Sequence, residues 1–164
     1  MWTPRKLQAR GAAAARQGDV DAAAPVSATA QIDTAASASA LWGVLADVDS
    51  WPGVVPGVTS AQVASPTPLS PGHRFTWANG GTTIRSRVEV VRPGHDLTWT
   101  GIALWLVAVH RNVIETLPDG QARLTSTESM AGVAAALLMP EEKLQQQLQA
   151  FVEAIAAEAE RRSR

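Results

Sequence analysis

Cysteine and tyrosine are both absent from this 164-residue sequence, and only two residues are phenylalanine, whereas six are tryptophan. The absence of cysteine excludes disulfides and thiolate metal ligands. No apolar run approaches the roughly 20 residues that a membrane-spanning helix needs. The formal net charge is only −1 and no block of Lys or Arg forms a stripe, so nucleic-acid binding has little support.

Motifs for metals and nucleotides are also missing. The sequence has no HExxH, no Cys/His cluster, no paired carboxylates at metal-ligand spacing and no phosphate loop. The run Gly80-Gly81-Thr82-Thr83 is interpreted as a hairpin turn, because no GK[ST] follows it. His73 and His95 adjoin the turns at Pro71-Gly72 and Pro93-Gly94, and we expect both to be solvated. We therefore expect no metal and no cofactor, and we predict a cytoplasmic protein.

The first 25 residues differ from the rest of the chain. They are rich in alanine, with Arg5, Lys6, Arg10 and Arg16 interspersed, and the four-alanine run is too short for the core of a signal peptide. A disordered tail or a frayed helix is the prediction, and a surface or membrane-contact helix is the alternative. The length favours one domain, so we divide the chain into a tail over 1–25 and a ligand-binding domain over 26–164.

The strongest periodic pattern is an amphipathic helix from Pro140 to Arg162. Its apolar stripe recurs at helical spacing and includes Leu144, Leu148, Phe151, Val152, Ile155 and Ala159. Upstream, a helix over 38–46 and a turn-rich segment follow the first strand. Strands are predicted over residues 26–33, 58–64, 74–78, 82–92, 97–104, 105–117 and 122–130. This order indicates an α+β fold, in which a curved antiparallel meander packs helices against one face.

Side-chain alternation along each strand predicts which residues face that helix. Ile84 and Val88 place Ser86 and Val90 on the inner face. The other inward residues are expected to be Phe75, Trp77, Leu97, Trp99, the even positions 106–114, Leu124, Ser126, Glu128 and Met130. On the strand over 105–117, Val107 and Val109 are apolar as well, so both of its faces are apolar. The predicted lining is apolar and rich in tryptophan, with a few polar groups, which is the usual composition of a small-molecule site.

His110 and Glu128 are predicted to lie opposite each other, because their strands pair through the turn Pro118-Asp119-Gly120. A lone carboxylate in an apolar cavity is costly, so we expect an imidazolium beside Glu128 and a raised His110 pKa. Three interpretations stay open. The pair is a buried polar contact that satisfies itself, or it orients a ligand, or His110 is a general acid/base oriented by Glu128.

The order of short motifs resembles the START-like superfamily, also called the helix-grip or SRPBCC group, in its polyketide cyclase/dehydrase-like branch. The resemblance covers roughly residues 26–162 and rests on these motifs: Ile32-Asp33-Thr34, Leu41-Trp42-Gly43-Val44-Leu45-Ala46-Asp47, Trp51-Pro52, Gly80-Gly81, Ile84-Arg85-Ser86-Arg87-Val88, Leu97-Thr98-Trp99-Thr100-Gly101, Ala108-Val109-His110, Pro118-Asp119-Gly120 and Thr127-Glu128-Ser129-Met130-Ala131-Gly132. It implies a seven-stranded curved antiparallel sheet around a long C-terminal helix, with two short helices after the first strand and a deep apolar cavity. Asn112, and Gly53-Val54-Val55-Pro56 after Trp51, depart from the family pattern by placing smaller groups near that cavity.

The resemblance implies binding of a hydrophobic, possibly aromatic or lipid-like small molecule. The alternatives are a cyclase/dehydratase-type enzyme that uses His110 as acid/base, and a protein-interaction module without a ligand. The catalytic candidates are His110 and Glu128, and Trp51 is expected to act as a gate at the cavity mouth. The candidate ligand-binding residues are Trp51, Phe75, Trp77, Ser86, Val88, Trp99, His110, Asn112 and Glu128. The oligomeric state stays open.

Overall fold

The structure, a computed structural model, describes residues 4–65 and 68–164. Residues 1–3 of the predicted tail lie outside the described residues. So do residues 66–67, which belong to a loop that the Pro and Ser residues of positions 65–71 predict. The helices are α1 (Pro4–Arg16), α2 (Ala38–Leu45), a 3-10 helix (Val48–Gly53), α3 (Ala135–Leu138) and α4 (Glu141–Arg162). The strands are β1 (Val26–Thr34), β2 (Val58–Val63), β3 (Arg74–Asn79), β4 (Thr82–Arg92), β5 (Asp96–Ala103), β6 (Leu106–Thr116) and β7 (Ala122–Ala131).

The seven strands form one antiparallel sheet in the order β1-β7-β6-β5-β4-β3-β2. Consecutive strands from β2 to β7 are neighbours. The two edges of the sheet are β1, which pairs with β7, and β2. The sheet curves around α4, and α2 and the 3-10 helix follow β1. The predicted helix-grip architecture is confirmed.

The inner face of α4 provides much of the core. Leu144, Leu148, Val152 and Ile155 are at most 2% exposed, as the helical spacing predicts. The helix lies against β1, β7 and α2. Glu141 and Glu142 occupy its first turn and Arg161 and Arg162 its last turn, which complements the helix macrodipole at both ends.

The N-terminal segment differs from the expected disordered tail or frayed helix. Residues 4–16 form the regular helix α1, which packs on the outer face of the sheet against β6, β5 and β4. A Cβ added at Gly11 would lie 3.2 Å from Val109 Cγ2 and 3.5 Å from Val107 Cγ1, so glycine permits this close approach. Both faces of β6 are apolar because α4 lies beneath one face and α1 covers the other. Asp21 holds the following loop by accepting a 2.7 Å hydrogen bond from Arg10 Nε.

Side-chain alternation was predicted correctly on most strands, with one correction on β4. A β-bulge between Val88 and Val90 shifts the register, so that Val91 pairs with Leu97. Val91 consequently packs against the core, while Val90 pairs with Thr98 instead of continuing the inner face. A bulge inserts one extra residue and reverses the alternation beyond it, which a fixed period of two does not anticipate.

Candidate functional site

A concavity of about 610 Å³ lies between the inner face of the sheet and α4. Its sheet wall includes Trp77, Ile84, Trp99, Ala108 and Met130, and its α4 wall includes Leu148 and Phe151. Val55 and Pro56 line another side, where the 3-10 helix leads into β2. The resulting surface is mostly apolar, with His110 and Glu128 among its polar groups.

An aromatic cluster fills the space next to this concavity. Trp51 stands at its centre and is fully buried, with its ring 5.8 Å from Phe75, 5.6 Å from Trp77, 5.5 Å from Trp99 and 5.8 Å from Phe151. The prediction that Trp51 is a gate at the cavity mouth is wrong. The 3-10 turn directs this side chain into the core, where four aromatic rings enclose it. The inward space is therefore part solid aromatic core and part open concavity.

The nine predicted site residues separate into two groups. Those that line the concavity are Trp77, Trp99, His110 and Glu128. Those that support the lining from within the protein are Trp51, Phe75, Ser86, Val88 and Asn112. Ser86 Oγ, for example, accepts a 3.1 Å hydrogen bond from Trp77 Nε1 and fixes that indole. Asn112 is fully buried, so its small size does not enlarge the concavity.

Sequence reasoning missed several lining residues. Gln147 and Lys143 line the concavity from α4, and neither belongs to the apolar stripe that the sequence predicts for this helix. Gln147 lies four residues before Phe151, so helical spacing places the two on one face. Leu138 and Met139 precede α4 and also line the concavity. Their position depends on the conformation of the segment after β7, for which the sequence has no periodic signal.

The register of His110 and Glu128 agrees with the prediction, since the two residues are direct cross-strand partners on β6 and β7. His110 Nδ1 lies 3.8 Å from Glu128 Oε2, which is too long for a hydrogen bond. The bonded partner of the imidazole is instead Ser126, whose Oγ lies 2.6 Å from His110 Nε2. Trp99 and Phe151 flank the ring at 4.4 Å and 5.2 Å between centroids.

A buried chain of hydrogen bonds fixes the tautomer of His110. Asn112 Nδ2 donates to the carbonyl of Leu97 at 3.2 Å, so Asn112 Oδ1 is the acceptor for Ser126. The Ser126 hydroxyl donates to that oxygen at 2.8 Å. Because its one proton is used there, Ser126 Oγ accepts from His110, and Nε2 carries the imidazole proton. His110 Nδ1 is therefore an unprotonated acceptor on the side of Glu128.

The charges of this pair differ from the prediction. Burial lowers the pKa of His110 from its ordinary value of 6.5 to about 3, and burial raises the pKa of Glu128 from 4.5 to about 7. The expectation of an imidazolium with a raised pKa is wrong, because desolvation of the ring dominates and the carboxylate is too distant to bond it. Between about pH 3 and pH 7 both groups are uncharged.

Comparison with known proteins places the fold in a family. A sequence profile described as polyketide cyclase / dehydrase and lipid transport matches residues 25–160. The chain belongs to this family. The match extends from just before β1 to near the end of α4, so it covers the whole sheet and nearly all of the helix that the sheet encloses. A comparison with curated proteins found no match.

Solved structures share the architecture at low sequence identity. A hypothetical protein from Helicobacter pylori is 20% identical with a TM-score of 0.71, over 82% of this chain and 86% of that one. The Zhui aromatase/cyclase from Streptomyces sp. R1128 is 19% identical with a TM-score of 0.64, over 84% and 95%. A START superfamily protein from Mycobacterium smegmatis is 12% identical with a TM-score of 0.69, over 82% and 97%. These likenesses establish the START-like fold.

Within residues 4–65 and 68–164, no three His, Asp or Glu side chains converge as metal ligands would. Over the same residues, no helix is both long and apolar enough to cross a bilayer.

Proposed function

We propose that this protein binds a hydrophobic small molecule in the concavity between the sheet and α4, and that His110 and Glu128 orient its polar group. The observation that carries the proposal is a mostly apolar concavity in which the uncharged pair His110 and Glu128 lies beside the apolar and aromatic residues of the sheet wall. The volume of about 610 Å³ falls within the range of about 300–1,000 Å³ that is usual for small-molecule sites. Family membership supports the same class of ligand.

The hydrogen-bonding capacity of the pair suggests the chemistry of the ligand. His110 Nδ1 accepts and, below about pH 7, the Glu128 carboxyl donates. A hydroxyl or carbonyl oxygen on an apolar body would complement this arrangement. Trp77 and Trp99 contribute aromatic surface on the same wall, which favours a ligand with aromatic or extended unsaturated character.

The rim of the concavity is also apolar. Leu104 is 71% exposed and Leu138 is 41% exposed, and both line the concavity. Trp105 joins their two segments through a 2.8 Å hydrogen bond from Nε1 to the Val133 carbonyl. Leu104 has φ of +54°, a left-handed conformation that is unfavourable for a leucine. A strained, exposed apolar residue at a hairpin tip favours a functional role, and we propose that this rim admits the ligand. Because a concavity of about 610 Å³ lies behind this rim, we prefer ligand binding to an interaction module without a ligand.

Native mass spectrometry of the protein purified from its own host, followed by solvent extraction, tests the proposal directly. A co-purifying apolar molecule is the expected result. In parallel, the uncharged apolar dye N-phenyl-1-naphthylamine should bind the emptied protein and quench tryptophan fluorescence. Ala108→Phe, which fills the concavity, should weaken dye binding at least tenfold. Gln31→Phe, on the exposed side of β1, is the matched control and should leave it unchanged. Equal dye binding by both variants would reject the site.

A catalytic role is the second candidate, and one observation favours it. The Glu128 pKa of about 7 is near neutrality, where a general acid or base is most effective. His110, with a pKa of about 3, is the weaker base. If the bound molecule is turned over, Glu128 should transfer the proton while His110 positions the reacting oxygen. Glu128→Gln should then abolish the mass change of the extracted ligand while keeping its affinity within about tenfold (1.4 kcal/mol). Unchanged turnover in this variant would assign the pair to binding alone.

A further inference from the structure

Five arginines from three segments of the sequence converge on the outer face of the sheet. A groove of about 560 Å³ lies between α1 and strands β3, β4 and β5. The arginines that line it are Arg5, Arg16, Arg74, Arg85 and Arg87, and Glu89 is the one acidic side chain in the lining. The chain as a whole has a net charge of −1, so this surface is much more positive than the rest of the protein. We call it the arginine groove.

Strand pairing imposes a cost on this arrangement. Arg74 and Arg87 are direct cross-strand partners on β3 and β4, and like charges at opposed positions destabilise a sheet. Arg85 lies two residues before Arg87 and therefore on the same face. Glu89 offsets part of the charge, since its buried carboxylate contacts Arg87 Nη1 at 2.7 Å and Arg16 Nη1 at 3.4 Å. Among the described residues, Arg5, Arg74 and Arg85 have no carboxylate partner.

The helix α1 forms the other wall and keeps the groove open. Arg5, Gln8, Ala9, Ala12 and Arg16 recur at spacings of three and four residues, so they share one face of the helix. Two arginines stand near the ends of this stripe and two alanines near its middle. Small side chains at positions 9 and 12 leave space above a floor that includes Thr100, Ile102 and Val107. The groove thus combines fixed positive charge with a partly apolar floor.

We propose that the arginine groove binds a soluble organic phosphate that carries at least two negative charges, such as a diphosphate ester. Guanidinium groups present planar pairs of donors that match phosphate oxygens. The concave shape suits a small ligand, with its phosphates among Arg5, Arg74 and Arg85 and its organic part over Ile102 and Val107. This site is separate from the apolar concavity, because the two lie on opposite faces of the sheet.

Isothermal titration calorimetry with the full chain and inorganic pyrophosphate tests the proposal. Binding should weaken as salt rises, since the contacts are ionic. The double variant Arg74→Gln/Arg85→Gln should weaken pyrophosphate binding at least tenfold. The control double variant Arg92→Gln/Arg164→Gln removes the same charge from exposed residues outside the groove and should change binding less than twofold. Equal weakening in both double variants would show a general charge effect and overturn the site.

A variant of unchanged charge tests the shape of the groove. Ala12→Leu should fill the space between helix and sheet and weaken pyrophosphate binding at least fivefold, while circular dichroism shows an unchanged helix content and melting temperature. Vesicles with 30% phosphatidylserine form the last arm, and wild-type protein should not co-sediment with them at 150 mM salt. Sedimentation with vesicles and no binding of millimolar pyrophosphate would replace the soluble ligand with a membrane surface and overturn the proposal.

Discussion

The uncharged state of His110 and Glu128 predicts how stability depends on pH. The native pKa of Glu128 is above its ordinary value, so in the window between pH 4.5 and about 7 the folded protein holds a proton that the unfolded chain releases. Its contribution to stability is complete below pH 4.5 and is lost as the pH rises to 7. The native pKa of His110 is below its ordinary value, so between pH 6.5 and about 3 only the unfolded chain gains a proton. Its contribution is complete above pH 6.5 and is lost as the pH falls to 3.

The two effects oppose each other where their windows overlap, between pH 4.5 and pH 6.5. Each is worth about 1.4 kcal/mol per pH unit, so each changes the free energy of unfolding by about 3 kcal/mol over this interval. In the wild type they nearly cancel. Glu128→Gln removes one of them, and this variant should lose about 3 kcal/mol on acidification from pH 6.5 to pH 4.5. His110→Gln keeps a donor for Ser126 and should gain about as much over the same interval.

Urea denaturation of the three proteins at half-unit pH steps measures these differences. The pKa values of Asp33, Glu158 and Glu160 are lowered, chiefly by hydrogen bonds from Arg123, Arg161 and Thr34 respectively. These groups are common to all three proteins, so their effects cancel when each variant is compared with the wild type. Parallel pH profiles for the two variants would refute the reasoning. A wild type that loses stability steeply as the pH falls from 6.5 to 4.5 would also refute it, because that loss would show that Glu128 stays ionised over the whole interval.

Three further tests, two of them with a control substitution, examine the packing. Trp51→Ala should lower the free energy of unfolding by about 3–5 kcal/mol, since it empties the centre of the aromatic cluster, whereas Trp105→Ala, at a half-exposed site, should cost under about 1 kcal/mol by the same urea titration. Gly11→Leu should detach α1 and accelerate hydrogen exchange in its amides, while Ala13→Leu on the exposed side of that helix should not, and equal exchange in both would contradict the docked position. Leu104→Gly should leave the melting temperature unchanged or raise it, because glycine adopts φ of +54° without strain. A drop of several degrees would contradict backbone strain at Leu104.

Much of the inner face was predictable from the sequence because strand alternation and a short turn determine it. The turn at Pro118-Asp119-Gly120 fixes the register of β6 and β7, and the opposition of His110 and Glu128 follows from counting back along both strands. Their charges were not predictable in the same way. They depend on burial and on the chain of hydrogen bonds that runs from His110 through Ser126 and Asn112 to the Leu97 carbonyl. This chain crosses three strands.

Tertiary contacts decided the remaining differences. Trp51 lies in a turn-rich segment whose direction no periodicity reports, and four rings from β3, β5 and α4 make the core its most favourable location. The alanine-rich segment has high helix propensity but no long apolar stripe, so packing against a sheet surface has to stabilise its helix. The signal for that contact was on β6, where Val107 and Val109 are apolar although they point away from α4.

Alternation along β4 makes the two proposed sites chemically distinct and experimentally separable. Ser86 supports the inner wall through Trp77, while its neighbours Arg85 and Arg87 line the arginine groove on the other face. Substitutions without shared contacts have nearly additive effects. Arg85→Gln should therefore leave dye binding in the concavity unchanged, and Ala108→Phe should leave pyrophosphate binding unchanged. Loss of both activities in either variant would mean that the sheet between the two faces transmits the change, and that the two sites act as one coupled unit.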